Sequence, residues 1–350
     1  MRLHLCLWSA GMACALGVAP ALADTVLTVG PGGQYQSISA AVAQADTDTD
    51  PGNYYVIDIM PGTYTNDFPT VTRPMTIEVN PAFAGQPVVL QATEPLPNQK
   101  GIILTFASLT VNGLTFTGAY IDEWLGGNGA GIRDQNTGPA SLVIMNSTFT
   151  NNQEGVLSGW DTDETITIIN SSFENNGNPG DGYESGIYIN YAGSLTVSNS
   201  LFCGQTSGHD IKSRAAVTTV TNNQLYAGAP DASIGCGAGQ ASFNIDAANG
   251  GTVTISGNQL IEGSAVPNHK MVAYGEEGLI YGANSLLVTG NSFTSIDVPH
   301  SIGIYDPYCI PAQLSDNAFE GVSTIIDPPG CGGGGGGGGT TTGLTSSLRN

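Results

Sequence analysis

A short segment near the middle of the chain carries side chains suited to acid, base or anion-binding chemistry. His209, Lys212 and Arg214 lie within the sequence Gly208-His-Asp-Ile-Lys-Ser-Arg-Ala215. Alternate side chains of a β-strand share a face, so Lys212 and Arg214 would lie on one face about 7 Å apart. A neighbouring arginine lowers the pKa of a lysine. Lys212 is therefore a candidate base, Arg214 a candidate acid or carboxylate-binding group, and His209 a second candidate base or a turn residue.

The overall charge makes these basic side chains informative. The chain has 29 acidic and 8 basic residues and a formal net charge of −21. Two of the basic residues, Arg2 and Arg349, lie near the two ends. A surface this acidic repels nucleic acid and anionic membranes, so we expect neither as a partner. An anionic ligand must meet a local basic site or a bridging divalent cation.

A short phrase recurs along the chain: a β-rich run, an Asn or Gly turn, and a closing Phe or Leu. The closing residues are Phe116, Phe149, Phe173, Phe202, Leu225, Leu260, Phe293 and Phe319. Each copy is too small to bury its own core, so the copies must stack, and the Asn series at the turns is interpreted as an internal polar ladder. A propeller is the alternative, but its blades need about 40 residues or more, which exceeds the repeat. The pattern predicts an all-β, single-domain right-handed parallel β-helix.

The two ends of the chain differ from the repeat. Residues 1–23 have a basic start, an apolar run and Ala21-Leu22-Ala23, which predicts a cleaved signal peptide. Gln36–Ala45 has an apolar stripe, which predicts a short amphipathic helix that caps the first coil. The β-helix domain is expected over 24–328. Residues 329–350 are glycine-rich and predict a flexible tail.

Four cysteines remain outside the predicted leader. They are Cys203, Cys236, Cys309 and Cys331. Three pairings are open, and proximity in sequence favours Cys203–Cys236 and Cys309–Cys331. None of the four lies in a metal-binding motif, so we expect structural disulfides in an oxidising compartment.

Aligning the strand that precedes each phrase places side chains in columns about 4.8 Å apart. The outward-facing residues are expected to be Arg133, Tyr188, Asn190, Lys212, Arg214, Asp246, Tyr274, Glu276 and Tyr305. Tyrosine rings and cations on one face favour a sugar-binding groove, with the seven besides Lys212 and Arg214 as substrate contacts. The structural alternative is a set of ion pairs between coils and stacked tyrosines that stabilise the solenoid. No cofactor is required; Ca²⁺ is the one candidate, with Asp246, Glu276 and Glu277 as its ligands.

A loop with three carboxylates and two tryptophans are further, weaker candidates. Asp161, Asp163 and Glu164 lack the spacing of a calcium loop and are expected to be solvated. Trp124 and Trp160 are expected either to line the groove or to be buried under a loop.

Two segments resemble a known family. Val29-Gly-Pro-Gly-Gly-Gln-Tyr-Gln-Ser-Ile-Ser-Ala-Ala-Val42 and Met60-Pro-Gly-Thr-Tyr64 look like the opening of the pectin-lyase-like superfamily, and the resemblance covers roughly residues 25–325. Residues 208–215 are similar to a GHxxKSRA-like phrase of bacterial β-helix proteins. The resemblance implies a right-handed parallel β-helix and a carbohydrate-related function. It implies no single reaction, because the superfamily hosts many.

Some β-helix uronan lyases of this superfamily use a lysine base, an arginine acid and a calcium ion held by carboxylates. The resemblance implies these roles for Lys212 and Arg214. The chain departs from that pattern because the two residues share one strand and no complete calcium motif is present. The aspartate set of polygalacturonases and the paired Asp and Gln motifs of pectin esterases are not found, which disfavours hydrolysis and ester cleavage.

These observations predict a secreted or periplasmic protein, monomeric, that acts on a uronate-containing polysaccharide as a lyase or C5-epimerase. Both reactions begin by removing the proton beside a carboxylate, whose charge must be neutralised. The alternative is a non-catalytic polysaccharide-binding or cell-surface β-helix protein that uses the same groove.

Overall fold

The chain coils repeatedly, and most coils contribute one strand to each of three parallel sheets. The computed structural model describes residues 24–179, 182–296 and 298–331 of the 350-residue chain. The predicted leader and residues 332–350 of the predicted tail lie outside the described residues. All strand pairs within the three sheets are parallel, so the fold is the predicted right-handed parallel β-helix.

The strands follow in chain order around the coil. The first sheet contains β1 (Thr25–Val29), β2 (Tyr55–Ile59), β5 (Met75–Val79), β8 (Leu109–Asn112), β11 (Ser141–Met145), β14 (Asp161–Ile169), β17 (Ala192–Ser198), β20 (Val217–Thr221), β23 (Thr252–Ser256), β26 (Ser285–Thr289) and β29 (Gln313–Ser315). The second contains β3 (Gly62–Thr65), β6 (Val88–Gln91), β9 (Thr115–Thr117), β12 (Thr148–Thr150), β15 (Ser172–Glu174), β18 (Leu201–Cys203), β21 (Gln224–Ala227), β24 (Gln259–Glu262), β27 (Ser292–Ser295) and β30 (Ala318–Glu320). The third contains β4 (Thr70–Val71), β7 (Gly101–Thr105), β10 (Ala130–Asp134), β13 (Glu154–Ser158), β16 (Ile187–Ile189), β19 (Ile211–Ser213), β22 (Ile245–Ala247), β25 (Lys270–Tyr274), β28 (Ile302–Tyr305) and β31 (Thr324–Asp327).

The helix predicted near the start is present, shifted by a residue or two. It spans Ile38–Asp46 (α1), and the hydroxyl of Ser37 accepts from the backbone N–H of Ala40 at its N-terminus. Its buried residues are Ile38, Ala41, Val42 and Ala45, the predicted apolar stripe. The helix contacts β1, β2 and β4 and so covers the first coil, as expected. Two short 3₁₀ helices cover Pro81–Phe83 and Glu123–Leu125.

The interior is a set of apolar columns. The closing residues of the repeat form one of them: the rings of Phe116, Phe149, Phe173 and Phe202 stack with centroids 4.7–4.9 Å apart. This distance equals the spacing between neighbouring strands, so each ring lies directly above the previous one. The repeat therefore identified core positions correctly.

A polar ladder runs beside these columns at the turn between the first and second sheets. Its members are Ser147, Ser171, Ser200, Asn223, Asn258, Asn291 and Asn317. The backbone N–H of each member donates to the side-chain oxygen of the next, at 2.9–3.2 Å. In the four coils from Asn146 to Asn222 the preceding residue is an Asn with a positive φ of 50–57°. The ladder satisfies buried backbone groups at a turn that cannot use sheet hydrogen bonds, as the Asn series predicted.

Two disulfides staple the solenoid. Cys203 pairs with Cys236, and Cys309 pairs with Cys331. These are the two pairings that sequence proximity favoured. The first ties β18 to the long connection between β21 and β22, and the second ties the connection after β28 to the segment after β31.

Candidate functional site

The outer face of the third sheet carries most of the residues selected from the sequence. Pairing in register places Arg133 beside Leu157, Leu157 beside Tyr188, Tyr188 beside Lys212, and Lys212 beside Asp246. These neighbours belong to successive strands from β10 to β22, so their Cα atoms follow one column. The prediction that these residues share a column is confirmed.

Tyr274 does not face outward, and its prediction is wrong. Val272 pairs with Ile245, so Ala273 occupies the position that was expected for Tyr274, next to Tyr305 in the column. A shift of one residue moves a side chain to the opposite face of a strand. Tyr274 is fully buried in the core, and its hydroxyl donates to the carbonyl oxygen of Gly251 at 2.7 Å.

The same shift affects the acidic residues after β25. The backbone N–H of Gly275 donates to the carbonyl of Ala247, so Gly275 takes the position predicted for Glu276. Glu276 is exposed and forms none of the ion pairs at this site. The outward column position predicted for Glu276 is therefore wrong, and the next residue, Glu277, contacts Arg214 instead.

Glu277 bridges two cations, Lys212 in β19 and Arg214 directly after it. Its Oε1 lies 2.7 Å from Nζ of Lys212. Its Oε2 accepts from Nε of Arg214 at 2.7 Å and lies 2.6 Å from Nη2. Burial raises the pKa of Glu277, but Lys212 and Arg214 outweigh it, and its pKa is lowered overall. Glu277 is therefore ionised and neutralises part of the charge of both cations.

Tyr188 and Asn190 hold the guanidinium of Arg214 from the neighbouring coil. Nη1 of Arg214 hydrogen-bonds the hydroxyl of Tyr188 and lies 3.4 Å from Oδ1 of Asn190. The Tyr188 ring also lies 5.1 Å from Cζ of Arg214 and 5.4 Å from Nζ of Lys212. Burial raises the pKa of Tyr188, although both cations act against it, so its hydroxyl is neutral. The hydroxyl of Tyr281 donates to the backbone carbonyl of Arg214.

Asp246 lies beneath this group and is completely buried. Its Oδ2 is 3.5 Å from Nζ of Lys212 and 3.6 Å from Nε2 of His209. Burial raises the pKa of Asp246 to about 8, even though Lys212 lowers it. Burial, assisted by the charge of Lys212, lowers the pKa of His209 to about 3, so the imidazole is neutral.

Lys212 does not have the protonation behaviour expected of a base. Burial lowers the pKa of Lys212, but the carboxylates of Asp246 and Glu277 outweigh burial, and its pKa is raised overall. The expectation that Arg214 would lower the pKa of Lys212 is wrong, because the close approach of Glu277 could not be seen from the sequence. Lys212 is a cation at neutral pH, suited to binding an anion.

The carboxylates proposed for calcium do not fit a metal site in this arrangement. Glu277 is already engaged by two cations, and Lys212 approaches Asp246. Within residues 24–179, 182–296 and 298–331, no group of three or more His, Cys, Asp or Glu side chains is arranged to hold a metal ion.

The basic residues of the protein gather on this face. Six lie between residues 24 and 331, and five of them are on the third sheet or directly beside its strands: Lys100, Arg133, Lys212, Arg214 and Lys270. The sixth, Arg73, donates to backbone carbonyls near α1 and has a structural role. From β7, which directly follows Lys100, to β25 there are six strand spacings, so the basic row extends about 29 Å along the solenoid.

Two members of the row, Arg133 and Lys270, lie on strands away from Lys212 and Arg214. Nε and Nη1 of Arg133 are buried without a hydrogen-bond partner. Burial lowers the pKa of Arg133, and the nearby carboxyl groups of Glu154 and Asp134 act in the opposite direction. Nζ of Lys270 lies 3.5 Å from the centroid of the Tyr305 ring. Lys270 was not selected from the sequence, because it begins its strand at a position outside the aligned column. The sequence feature that could have identified Lys270 is the small number of basic residues in so acidic a chain.

Aromatic side chains extend the same surface. Trp160 is 67% exposed and stacks on Tyr191 with ring centroids 4.1 Å apart. Tyr191 follows Asn190 and is close enough to influence the pKa of Arg214. Trp160 is therefore not buried under a loop, and it offers a flat apolar surface near Arg214. Trp124 is also exposed, at 79%, in the 3₁₀ helix Glu123–Leu125.

The acidic segment after Trp160 is not the solvated loop that was expected. Asp161 begins β14, and Asp161 and Glu164 are 7% and 2% exposed. Asp163 is exposed. The expectation failed because the strand of the first sheet begins earlier here than in the other coils, and it takes these carboxyl groups into the turn beside Asp134.

Comparisons with known proteins agree with the fold. No helix in the described part of the chain is long and apolar enough to cross a membrane. No curated protein and no solved structure matches the chain. The family model described as the right handed beta helix region matches residues 100–293, which is more than half of the chain. The chain therefore belongs to the right-handed β-helix family.

Proposed function

We propose that the protein binds a uronate-containing polysaccharide along the outer face of its third sheet. One observation carries the proposal: five of the six basic residues between 24 and 331 lie on or beside this sheet, in a chain of net charge −21. Random placement would scatter so few cations over all three faces. Their concentration in a row supports a ligand that is itself anionic and extended.

The side chains around Arg214 support a carbohydrate rather than another polyanion. Guanidinium and ammonium groups bind carboxylates, and flat aromatic rings pack against the apolar faces of sugar rings. Tyr188 and the Trp160–Tyr191 stack place such rings near the two cations. A nucleic acid would meet the strongly negative remainder of the surface over a much larger footprint.

Catalysis by β-elimination or C5 epimerisation is the second candidate. In elimination a base takes the C5 proton, the electron pair forms the C4–C5 double bond, and the glycosidic oxygen leaves C4 and takes up a proton. In epimerisation C5 is reprotonated from the opposite face. The observation that favours this candidate is the neutral Tyr188 hydroxyl beside Arg214, which is placed to donate a proton while Lys212 and Arg214 neutralise the carboxylate. Lys212 would have to release its own proton to act as the base, so binding alone is the better-supported function.

We place this activity outside the cytoplasm. Disulfides persist in oxidising compartments, and the chain has two, together with the signal-like residues 1–23. The protein would act there as a monomer.

Binding is tested by titrating the protein with polygalacturonate, alginate and a methyl-esterified pectin that lacks most free carboxylates. We expect binding to a carboxylate polymer, and an Arg214→Ala variant should bind it at least tenfold more weakly. Added salt should weaken the binding, because the contacts are ionic. Equal affinity for the esterified polymer, or an unchanged Arg214→Ala variant, would contradict the proposal.

Catalysis is tested on the polymers that bind. Elimination creates an unsaturated sugar end with ultraviolet absorbance, and epimerisation in D₂O exchanges the C5 proton, which NMR detects. Tyr188→Phe, which removes only the hydroxyl, should abolish the signal and retain most of the binding. Binding without either signal would reduce the function to recognition.

A further inference from the structure

We infer that the Glu277 carboxylate is an internal stand-in for the carboxylate of the ligand, and that Lys212 and Arg214, the latter held by Tyr188, form a carboxylate-binding subsite which Glu277 fills when no ligand is bound. The inference rests on the proposed function, and it assigns the anion-binding position within the basic row. It also makes Glu277 a determinant of affinity and specificity at that position.

The contacts of Glu277 are those that a uronate carboxylate would make. One oxygen meets the ammonium of Lys212, and the other meets two nitrogens of the Arg214 guanidinium, all at 2.6–2.7 Å. Charge-assisted contacts of this length are the strong class of hydrogen bond. The geometry shows that the two cations are spaced to hold a single carboxylate between them.

Each of the two cations has a partner besides Glu277. Arg214 is also held by Tyr188 and Asn190, and Lys212 also faces the buried Asp246. The hydroxyl of Tyr281 further anchors the backbone at Arg214. Removal of the Glu277 carboxylate would therefore leave a formed anion site and not a collapsed one.

Glu277 is free to leave by rotation of its side chain. Its backbone N–H donates to the carbonyl of Ala248 at 2.9 Å, and the turn before it is closed by a bond from Gly278 N–H to the Gly275 carbonyl. These bonds involve only the main chain, so the side chain can swing outward with the loop in place. About a third of the side chain, 32%, is already exposed to solvent.

A ligand carboxylate can thus replace Glu277 without creating an unpaired buried charge. The number of charges at the site stays the same, while Glu277 becomes hydrated. A polymer with several carboxylates competes well for this exchange, because its other groups are held by the rest of the row. A single uronate competes poorly. The arrangement therefore selects for long acidic chains over monomers.

The test uses the whole chain and two small probes, sodium glucuronate and neutral glucose, with binding followed by calorimetry and by the NMR signal of the Arg214 side-chain Nε–H. We expect wild type to bind glucuronate weakly, Glu277→Ala to bind it at least tenfold more tightly, and Glu277→Gln to lie between them. Glucose should bind to none of them. Glu320→Ala, which removes an exposed carboxylate from β30 on the second sheet, is the matched control and should behave as wild type.

The outcomes separate this inference from the proposed function. A gain in glucuronate affinity that disappears in the double variant with Arg214→Ala supports the subsite. No gain in Glu277→Ala and Glu277→Gln, with both variants folded by circular dichroism, overturns it. A gain for glucuronate without polysaccharide binding by any variant would overturn the proposed function and leave the subsite standing.

Discussion

Two groups of carboxyl side chains lie at the third sheet, and they are treated in opposite ways. Asp246 and Glu277 lie beside Lys212 and Arg214, at contact distances of 2.6–3.5 Å. Asp134 and Glu164 lie in the turn between the third and first sheets, where Asn136 donates to both at 2.8 Å. Arg133 directly precedes Asp134. Adjacent residues of a strand face opposite sides, so the guanidinium of Arg133 lies on the outer face, away from the side of the strand that carries the Asp134 carboxyl group.

The two groups differ in how the negative charge is neutralised: cationic side chains neutralise Glu277, and a bound proton neutralises Glu164. At Glu277 the two cations keep the pKa low and the carboxylate ionised. At Glu164 burial, followed by the contact with Asp134, raises the pKa to about 10, and burial also raises the pKa of Asp134. The pair in the turn therefore retains a proton at neutral pH. The buried pair with no cation beside it is structural, while Glu277, which lies between two cations, keeps a charge that a ligand can exchange.

The largest expected effect comes from removing the cation of the first group. Lys212→Met should lower the free energy of unfolding by about 2–3 kcal/mol at pH 9, because the ionised Asp246 would be buried without a counter-charge. At pH 5 Asp246 is protonated, since its folded pKa is about 8, and the loss should be smaller. Urea denaturation at both pH values measures the difference. Lys270→Met, which removes a cation from the same face, should cost less than about 1 kcal/mol.

An intermediate effect is expected from removing the proton of the second group. The folded state holds the proton of Glu164 up to about pH 10, whereas the unfolded chain releases it near pH 4.5. The stability that this proton supports is complete below pH 4.5 and is lost as the pH rises toward 10. Glu164→Gln has no proton to lose, so at pH 9 it should be more stable than wild type by about 1–2 kcal/mol. Thermal melts from pH 4 to pH 9 test this; a parallel pH dependence in both proteins would contradict it.

The smallest expected effect is the response to salt. At 1 M salt the screening length is about 3 Å, which weakens partly exposed ion pairs more than buried hydrogen bonds. The destabilisation by Lys212→Met should shrink by about 0.5–1 kcal/mol in 1 M NaCl, and the effect of Glu164→Gln should stay constant. Repeating the same denaturation curves in salt provides the measurement. Equal salt responses at the two sites would remove the distinction between them.

The sequence predicted the fold because the repeat is local. A β-rich run, an Asn or Gly turn and a closing Phe or Leu recur in eight copies, and each element has its own physical cause in strand propensity, left-handed turn geometry and core burial. The helix that covers the first coil and the disulfide pairings could also be predicted. All of these depend on residues close together in the chain.

The candidate site was predicted less completely, because it depends on register and on loops. In the sequence-based alignment, a shift of one residue in β25 placed Tyr274 on the outer face and selected Glu276 in place of Glu277. Met271 and Val272 are both apolar, so hydrophobic alternation could not choose between the two registers. The loop that brings Glu277 over β19 has no counterpart in other coils, so the repeat carried no signal for it. The pKa of Lys212 depends on the position of Glu277 in that loop, so its direction could not be deduced from the sequence.

The polar ladder has a consequence for the candidate site. Lys212, Asp246 and Glu277 come from three successive coils, and those coils contain Asn223, Asn258 and Asn291 of the ladder. Each rung fixes the height of one coil above the last by a hydrogen bond inside the protein, independent of what happens on its surface. The buried amides thus set the spacing of the side chains on the outer surface. Loops of any length can be exchanged between coils, while the distance along the solenoid axis from one charged side chain to the next stays constant.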